Sequence, residues 1–398
     1  MKIVKKIIQD VRNKGDDAIR YYTKKFDKIY LKNFEITKEE IKKAYESVDK
    51  ETIKALKIAK TNIKSFAKRQ MRQFKDFKIK KYGITLGQKV VPIQNIGVYI
   101  PGGNYPLPST ALMCIVPAKI AGVKNIIACS PKMKPETIVA ADLAGADRLF
   151  RIGGAQAIAA MAYGTQTIPR VDKIVGPGNI YVTAAKKEVF GQCGIDFLAG
   201  PSEVMVIADS TADYNFVAAD LLAQLEHDIN SRAFLITNSE KLIENVRNEI
   251  KVQIREFATK SIIQKSIKSL KIKLVGKIED AAKIANEIAP EHLELQIKNP
   301  KRLMSKLRNY GSLFLGKYSA EAFGDYCSGT NHVLPTNGGA RFTGGLSVKD
   351  FIKLQTYQKI NYKCVNKLAP IALKLSQIEG LDAHNKSVVV RQGKSKHL

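Results

Sequence analysis

Short β-rich apolar runs alternate with helical segments through the middle of the chain, and no other feature restricts the fold as much. Residues 125–129, 148–152 and 171–175 read as strands, and 84–100 as extended chain ending in Gly97-Val-Tyr-Ile-Pro101. Residues 109–121, 137–145, 156–163 and 180–189 carry helical patterns, the first capped by Ser109 or Thr110. Strands separated by helices pair through crossovers, which predicts a mostly parallel sheet. A second such region opens at 204–208. It continues with a helix over 214–226, a strand over 233–237, helices over 239–257 and 278–288, and a strand over 311–315. Residues 1–75 read as helices, with Val4, Ile7, Ile8 and Val11 at helical spacing and a break at Gly15-Asp16-Asp17. Residues 347–379 read as helical and 388–391 as extended. The pattern predicts two α/β domains behind a helical N-terminal region, with a small C-terminal segment.

Composition removes whole classes of function. No apolar run approaches the ~20 residues of a membrane helix. The start, Met1-Lys-Ile-Val-Lys-Lys6, runs straight into an amphipathic helix without a secretory core, so a cytoplasmic, membrane-free protein is expected. Cys114, Cys129, Cys193, Cys327 and Cys364 form no C-x-x-C pair, which argues against a disulfide framework or a cysteine zinc module. The 65 basic residues outnumber the 37 acidic ones, for a net charge of +28. Lysines such as Lys42, Lys54, Lys57, Lys60 and Lys64 are dispersed, and no nucleic-acid module is present. The charge therefore reads as solvated surface that steers an anionic ligand rather than as a nucleic-acid site. Gly-rich turns at Gly102-Gly103, Gly153-Gly154, Gly176-Pro-Gly178 and Gly200-Pro-Ser202 include several that precede helices, where free N–H groups can hold an anion. None matches G-x-G-x-x-G, so any nucleotide seat departs from the standard fingerprint.

Five histidines in 398 residues make their contexts informative. Gln224 and His227 lie three apart on a helix and share a face, where an amide oxygen and an imidazole can both ligate a metal. An exposed polar helix end explains that pair equally simply. Glu291-His292 follows Pro290 and offers a carboxylate and an imidazole for proton transfer. Neighbours on a strand face opposite sides, so both serve one site only where the backbone turns. The polar loop Gly324-Asp-Tyr-Cys-Ser-Gly-Thr-Asn-His332 leaves Asp325 and His332 accessible, or merely connects two elements. Cys327 within it reads as a spectator thiol. Glu379-Gly-Leu-Asp-Ala-His384 taken alone is an ordinary helix end, and His397 is idle.

In order along the chain, Gly97 to Gly103, Gly153-Gly-Ala-Gln-Ala-Ile158, Val171-Asp-Lys-Ile-Val-Gly-Pro-Gly-Asn179, Ala199-Gly-Pro-Ser-Glu-Val204, Gln224-Leu-Glu-His227, Pro290-Glu-His-Leu293, Gly324 to Thr336, and Ala383-His384 closely resemble the histidinol dehydrogenase family. The likeness spans essentially the whole chain. It implies two similar incomplete Rossmann-like domains of aldehyde-dehydrogenase-like type. Residues 1–98 plus 205–346 would form one, 99–204 the NAD-contacting other, and 347–398 a C-terminal dimerisation segment. It implies oxidation of L-histidinol to L-histidine through histidinal with two NAD, the last two steps of histidine biosynthesis. It also implies one zinc per subunit on Gln224, His227, Asp325 and His384, which holds the substrate in place. Glu291 and His292 would be the acid/base pair. Ser202, His332 and Glu379 would contact histidinol together with Gln224, His227, His292, Asp325 and His384. Tyr99, Gln156 and Asn179 would contact NAD. The family forms homodimers whose C-terminal segment enters the partner's site, so Glu379 and His384 would act in trans.

Three features depart from the family pattern. A further segment usually precedes the helix matching residues 4–12 and helps the dimer, Cys327 stands where a small residue is usual, and the charge is high. Competing readings are a relative on the same scaffold that oxidises another polar alcohol such as a sulfonated diol, a basic nucleic-acid binder, and a decayed enzyme kept as a structural partner. Retention of His332 and Glu379 favours histidinol.

Overall fold

A computed structural model of the chain describes residues 1–102 and 105–392. Gly103 and Asn104 of the expected turn, and His397, lie outside the described residues. The structure divides into two compact units, Met1–Met71 with Ile93–Phe351 and Arg72–Pro92 with Ile352–Leu398.

The larger unit opens with α1 (Lys2–Lys14), α2 (Asp16–Asp27), α3 (Lys38–Ser47) and α4 (Lys50–Met71). Val4, Ile7, Ile8 and Val11 form the buried face of α1, as their spacing requires. Thr37 and Glu40 close a reciprocal capping box at the start of α3. In the smaller unit, β1 (Phe77–Lys81) and β2 (Ile84–Pro92) follow.

The first parallel sheet is built from β3 (Asn95–Tyr99), α5 (Pro108–Ala121), β4 (Asn125–Cys129), α6 (Pro135–Ala144), β5 (Arg148–Phe150), α7 (Gly154–Tyr163), β6 (Lys173–Val175), α8 (Ile180–Val189) and β7 (Gly194–Ile195). Its order is β5-β4-β3-β6-β7, and all its pairs are parallel. Neither Ser109 nor Thr110 caps α5. Leu107 is the N-cap without a side-chain bond, because Pro108 starts the helix, a position where the missing N–H costs nothing.

The second sheet comes from β8 (Glu203–Ala208), α9 (Tyr214–Leu225), β9 (Arg232–Thr237), α10 (Glu240–Gln253), α11 (Lys260–Ser266), β10 (Lys271–Leu274), α12 (Ala281–Ile288), β11 (His292–Gln296), α13 (Pro300–Met304), β12 (Ser312–Leu315) and α14 (Glu321–Tyr326). Its order, β10-β9-β8-β11-β12, repeats that of the first sheet strand for strand, again all parallel. Val204, Val206, Leu221, Leu222 and Leu235 pack one face of it, and Met205, Ile207, Leu293 and Leu295 the other. Burial on both faces explains the continuous apolar runs of these strands. The expected α/β class, with two similar parallel sheets behind N-terminal helices, is the one observed.

The smaller unit corrects two expectations. Residues 347–379 are not one helix: β13 (Ile352–Ile360) pairs antiparallel with β2 along its whole length, with one 3₁₀ turn (Val348–Phe351) before it and α15 (Tyr362–Ile378) after it. Residues 388–391 are not extended but lie inside α16 (Asp382–Gln392). Both segments have mixed local preference, and pairing with β2 in one case and packing of α16 on α15 in the other decides the outcome. Among the described residues no helix is long and apolar enough to cross a membrane.

Candidate active site

The amino edge of the second sheet gathers most of the singled-out polar residues. Glu203 opens β8, and His292 opens β11 opposite Val204. Ahead of β11, Ala289 takes a left-handed backbone, φ +53°, so that Pro290-Glu291 turns into the strand. That turn lets adjacent Glu291 and His292 share one pocket, which a straight strand forbids. Both are buried, and so are Glu203, Gln224, Glu321 and Asp325.

The imidazole of His292 is ringed by carboxylates. Nδ1 lies 3.7 Å from Glu291 and 3.7 Å from Glu321, and Nε2 lies 3.5 Å from Asp325. The Glu203 N–H donates to Glu291 at 2.9 Å. The Gln224 amide spans the same ground, its nitrogen donating to Glu321 at 2.5 Å and its oxygen accepting from Glu203 N–H at 2.6 Å, an orientation set by the hydrogen-bond network. Glu203 is itself anchored by Arg232 at 2.8 Å and by the Asn337 N–H at 2.9 Å.

Asp325 sits on the short helix α14 rather than in a loop. His332, half-buried, bonds through Nδ1 to the Asp325 carbonyl at 2.8 Å, and its Nε2 lies 3.3 Å from the Thr110 hydroxyl. His227 is exposed at the rim just beyond α9. The packed protein behind it lowers its pKa, and the Asp325 charge opposes that shift. Ser202 directly precedes Glu203 and accepts the Arg232 N–H through its carbonyl at 3.0 Å. Glu379 and His384 lie on the smaller unit, exposed, at the end of α15 and in α16.

Burial pushes Glu291 up to about 8. Burial pulls His292 down, but Glu321, Glu291 and Asp325 outweigh it and hold the ring protonated well above its usual range. Asp325 behaves conversely: burial raises its pKa, and the imidazoles of His292, His332 and His227 bring it below the usual carboxylate range. Burial raises Glu321 strongly.

Among the described residues, His292 Nε2, Glu321 Oε2 and Asp325 Oδ1 are buried without a hydrogen-bond partner. Donor atoms of His292, Glu321 and Asp325 lie within 4.8 Å of one another. Unpaired buried polar groups are costly, and a mixed nitrogen and oxygen ligand set of this kind, with the imidazole neutral, suits a zinc ion. Residues present therefore fit a metal, with Asp325 common to this cluster and to the ligand set expected from the sequence. Glu203 and Glu321 were not singled out in the sequence. Glu321 precedes Asp325 by four residues on one helix, a spacing that puts both on one face and that could have revealed it.

The residues expected to touch a dinucleotide collect elsewhere, at the carboxyl edge of the first sheet. Tyr99 ends β3, and its buried phenol accepts the Gly154 N–H at 3.2 Å. Gln156 is buried in the first turn of α7. Asn179 caps α8, its side chain accepting the N–H groups of Tyr181 at 3.0 Å and Val182 at 3.1 Å. α8 thus begins at the strand-order reversal between β3 and β6, where such sheets bind anionic ligands, while α7 begins beyond the edge strand β5 and is tied to β3 through Tyr99. Cys327 is exposed and takes no part in the cluster.

A doubled parallel α/β scaffold with a buried imidazole among carboxylates at one sheet edge is the framework of an enzyme that moves protons. The sequence profile described as Histidinol dehydrogenase matches residues 1–392. A histidinol dehydrogenase of Methanocaldococcus jannaschii is 48% identical over 390 residues, 97% of this chain and 91% of that protein. One of Clostridium acetobutylicum is 47% identical over 398 residues, 98% and 92% of the two chains. The crystal structure of histidinol dehydrogenase from Elizabethkingia anophelis superposes with a TM-score of 0.93 at 42% identity, covering 98% of this chain and 91% of that one. The chain belongs to the histidinol dehydrogenase family, and it is an oxidoreductase.

Proposed function

We propose that the chain carries out the NAD-dependent, four-electron oxidation of L-histidinol to L-histidine through L-histidinal, closing histidine biosynthesis in the cytoplasm. The observation that carries this reading is the buried, unpartnered His292 Nε2, with Asp325 on one side and Glu291 on the other. An anionic pocket of this kind suits a substrate with an imidazole and an amine. A zinc ion on Gln224, His227, Asp325 and the partner's His384 would hold the substrate's nitrogen atoms, while NAD on Tyr99, Gln156 and Asn179 would accept hydride.

The chain's own groups move the protons. Neutralising the Glu321 and Asp325 charges lowers the His292 pKa and frees Nε2 to take the alcohol proton. Glu291, pushed up to about 8, is matched to draw a proton from the water that adds to the aldehyde. Ser202 and His332, with the partner's Glu379, would complete the substrate contacts. Exposed Ile371, Leu375, Ile378, Val389 and Val390 on α15 and α16 support a homodimer in which this segment reaches the partner's site. On this reading residues 99–204 would be the NAD-contacting domain, 1–98 plus 205–346 the other, and 347–398 the dimerisation segment.

The test is NADH formation with L-histidinol, NAD and zinc. About two NADH per histidinol consumed are expected, lost on chelation. Zinc-loaded, folded protein that forms no NADH with histidinol would overturn the substrate.

A further inference from the structure

Lys186 and Asp196 form an ion pair with side chains only 3% and 0% exposed, beneath the turn that leads into α8. Among the described residues no other lysine of this lysine-rich chain is buried. A buried pair recovers its desolvation cost only when further hydrogen bonds satisfy both partners. Here those bonds converge on one residue. Lys186 Nζ donates to the Gly176 carbonyl at 3.0 Å, and the Gly176 N–H donates to Asp196 Oδ2 at 2.8 Å. Asp196 Oδ1 also accepts the Phe197 N–H at 2.7 Å.

Gly176 is the residue through which the turn touches the rest of the site. Its φ of +112° lies in the left-handed region, and a Cβ there would run into the Tyr99 carbonyl oxygen. Tyr99 reaches in turn to Gly154, ahead of Gln156. Asn179 stands three residues beyond Gly176. The pair thereby holds the glycine that packs against Tyr99 and leads to Asn179.

We propose that Lys186 and Asp196 are positioning residues for the dinucleotide: by gripping both backbone groups of Gly176 they hold Tyr99 and the Asn179 helix start in place before NAD arrives. This rests on the NAD seat proposed above. Charge-assisted bonds fix the turn more firmly than backbone bonds alone, so less ordering remains to be done on binding.

NAD binding to zinc-loaded protein, followed by titration calorimetry, tests it apart from turnover. Wild type that binds no NAD would overturn the seat itself. With binding established, Asp196→Asn, which keeps an acceptor for Gly176 but removes the counter-charge, and Lys186→Met/Asp196→Asn are compared. Each is expected to raise the NAD Kd on the order of tenfold while the histidinol KM stays put. Wild-type NAD affinity in a folded variant, or equal losses for NAD and histidinol, would overturn the positioning role. Hydrogen exchange of the wild-type protein gives a readout free of any folding defect. Gly176 and Phe197 amides should be protected before NAD is added, and rapid exchange at both would also overturn it.

Discussion

The two parallel sheets share one strand order yet carry their singled-out residues at opposite edges. In the first, Tyr99, Gly154 and Asn179 stand at the carboxyl ends of strands, where α7 and α8 begin. In the second, Glu203 and His292 stand at the amino ends, where α9 and α12 finish. Crossover helices run antiparallel to their strands, so a parallel sheet collects helix N-termini along one edge and C-termini along the other. The partial positive charge at the first edge favours anions such as dinucleotide phosphates, and the partial negative charge at the second favours cations. Side chains reinforce the contrast. The amino edge of the second sheet crowds Glu291, Glu321 and Asp325 around one imidazole, whereas the carboxyl edge of the first sheet presents backbone N–H groups and turns. One topology used twice therefore supplies seats of opposite polarity.

If the edges work separately, damage to one should leave the other intact. The largest effect is expected from His292→Asn, a loss of kcat on the order of 10³-fold with the NAD Kd unchanged. Steady-state kinetics beside calorimetry decides it, and a parallel loss of NAD binding would show the edges to be coupled. Asp325→Asn comes next, with bound zinc measured by elemental analysis at a wild-type protein concentration. Zinc affinity is expected to fall at least tenfold, again with NAD binding retained.

Glu291 gives a pH signature in chelator-treated protein. Its folded pKa of about 8 lies above the usual carboxylate value of 4.5. The folded state therefore holds a proton that the unfolded chain releases, and the cost of ionising Glu291 grows as pH rises from about 4.5 to about 8. Urea midpoints should decline across that window in wild type more than in Glu291→Gln. At the other edge, Asn179→Ala removes an N-cap and should cost about 1 kcal/mol in thermal stability, with weaker NAD binding and unaltered zinc content. Cys327→Ser, exposed and outside both edges, should shift stability by less than about 0.5 kcal/mol and leave turnover alone.

Legibility from the sequence differed between the sheets for a physical reason. Strands buried on both faces advertise themselves as apolar runs, so β4, β8 and β9 could be read directly. β13 could not: eight of its nine residues are exposed and its partner β2 lies more than 250 residues earlier, so nothing local distinguishes it from a helix. At the site, the Gln224/His227 spacing and the Glu291-His292 pair were visible, but each alone was compatible with an ordinary polar surface. The left-handed Ala289 that brings Glu291 and His292 into one pocket has no sequence signal, since alanine rarely adopts it. Glu321 was overlooked because a lone glutamate among polar residues looks solvated until the fold buries it.

The order of apolar runs, turn glycines and polar motifs by itself determined the α/β class, the presence of two such regions and the set of residue types available for chemistry. These depend on local period and on spacing, which the chain carries everywhere. Tertiary structure alone decided that Glu291, Glu321 and Asp325 would surround His292 and that Lys186 would be buried against Asp196. Such outcomes depend on burial and on polar groups brought together from far apart in sequence, as where the Glu203 N–H meets Glu291, 88 residues on. The energies of both are set by neighbours that no local stretch of sequence contains.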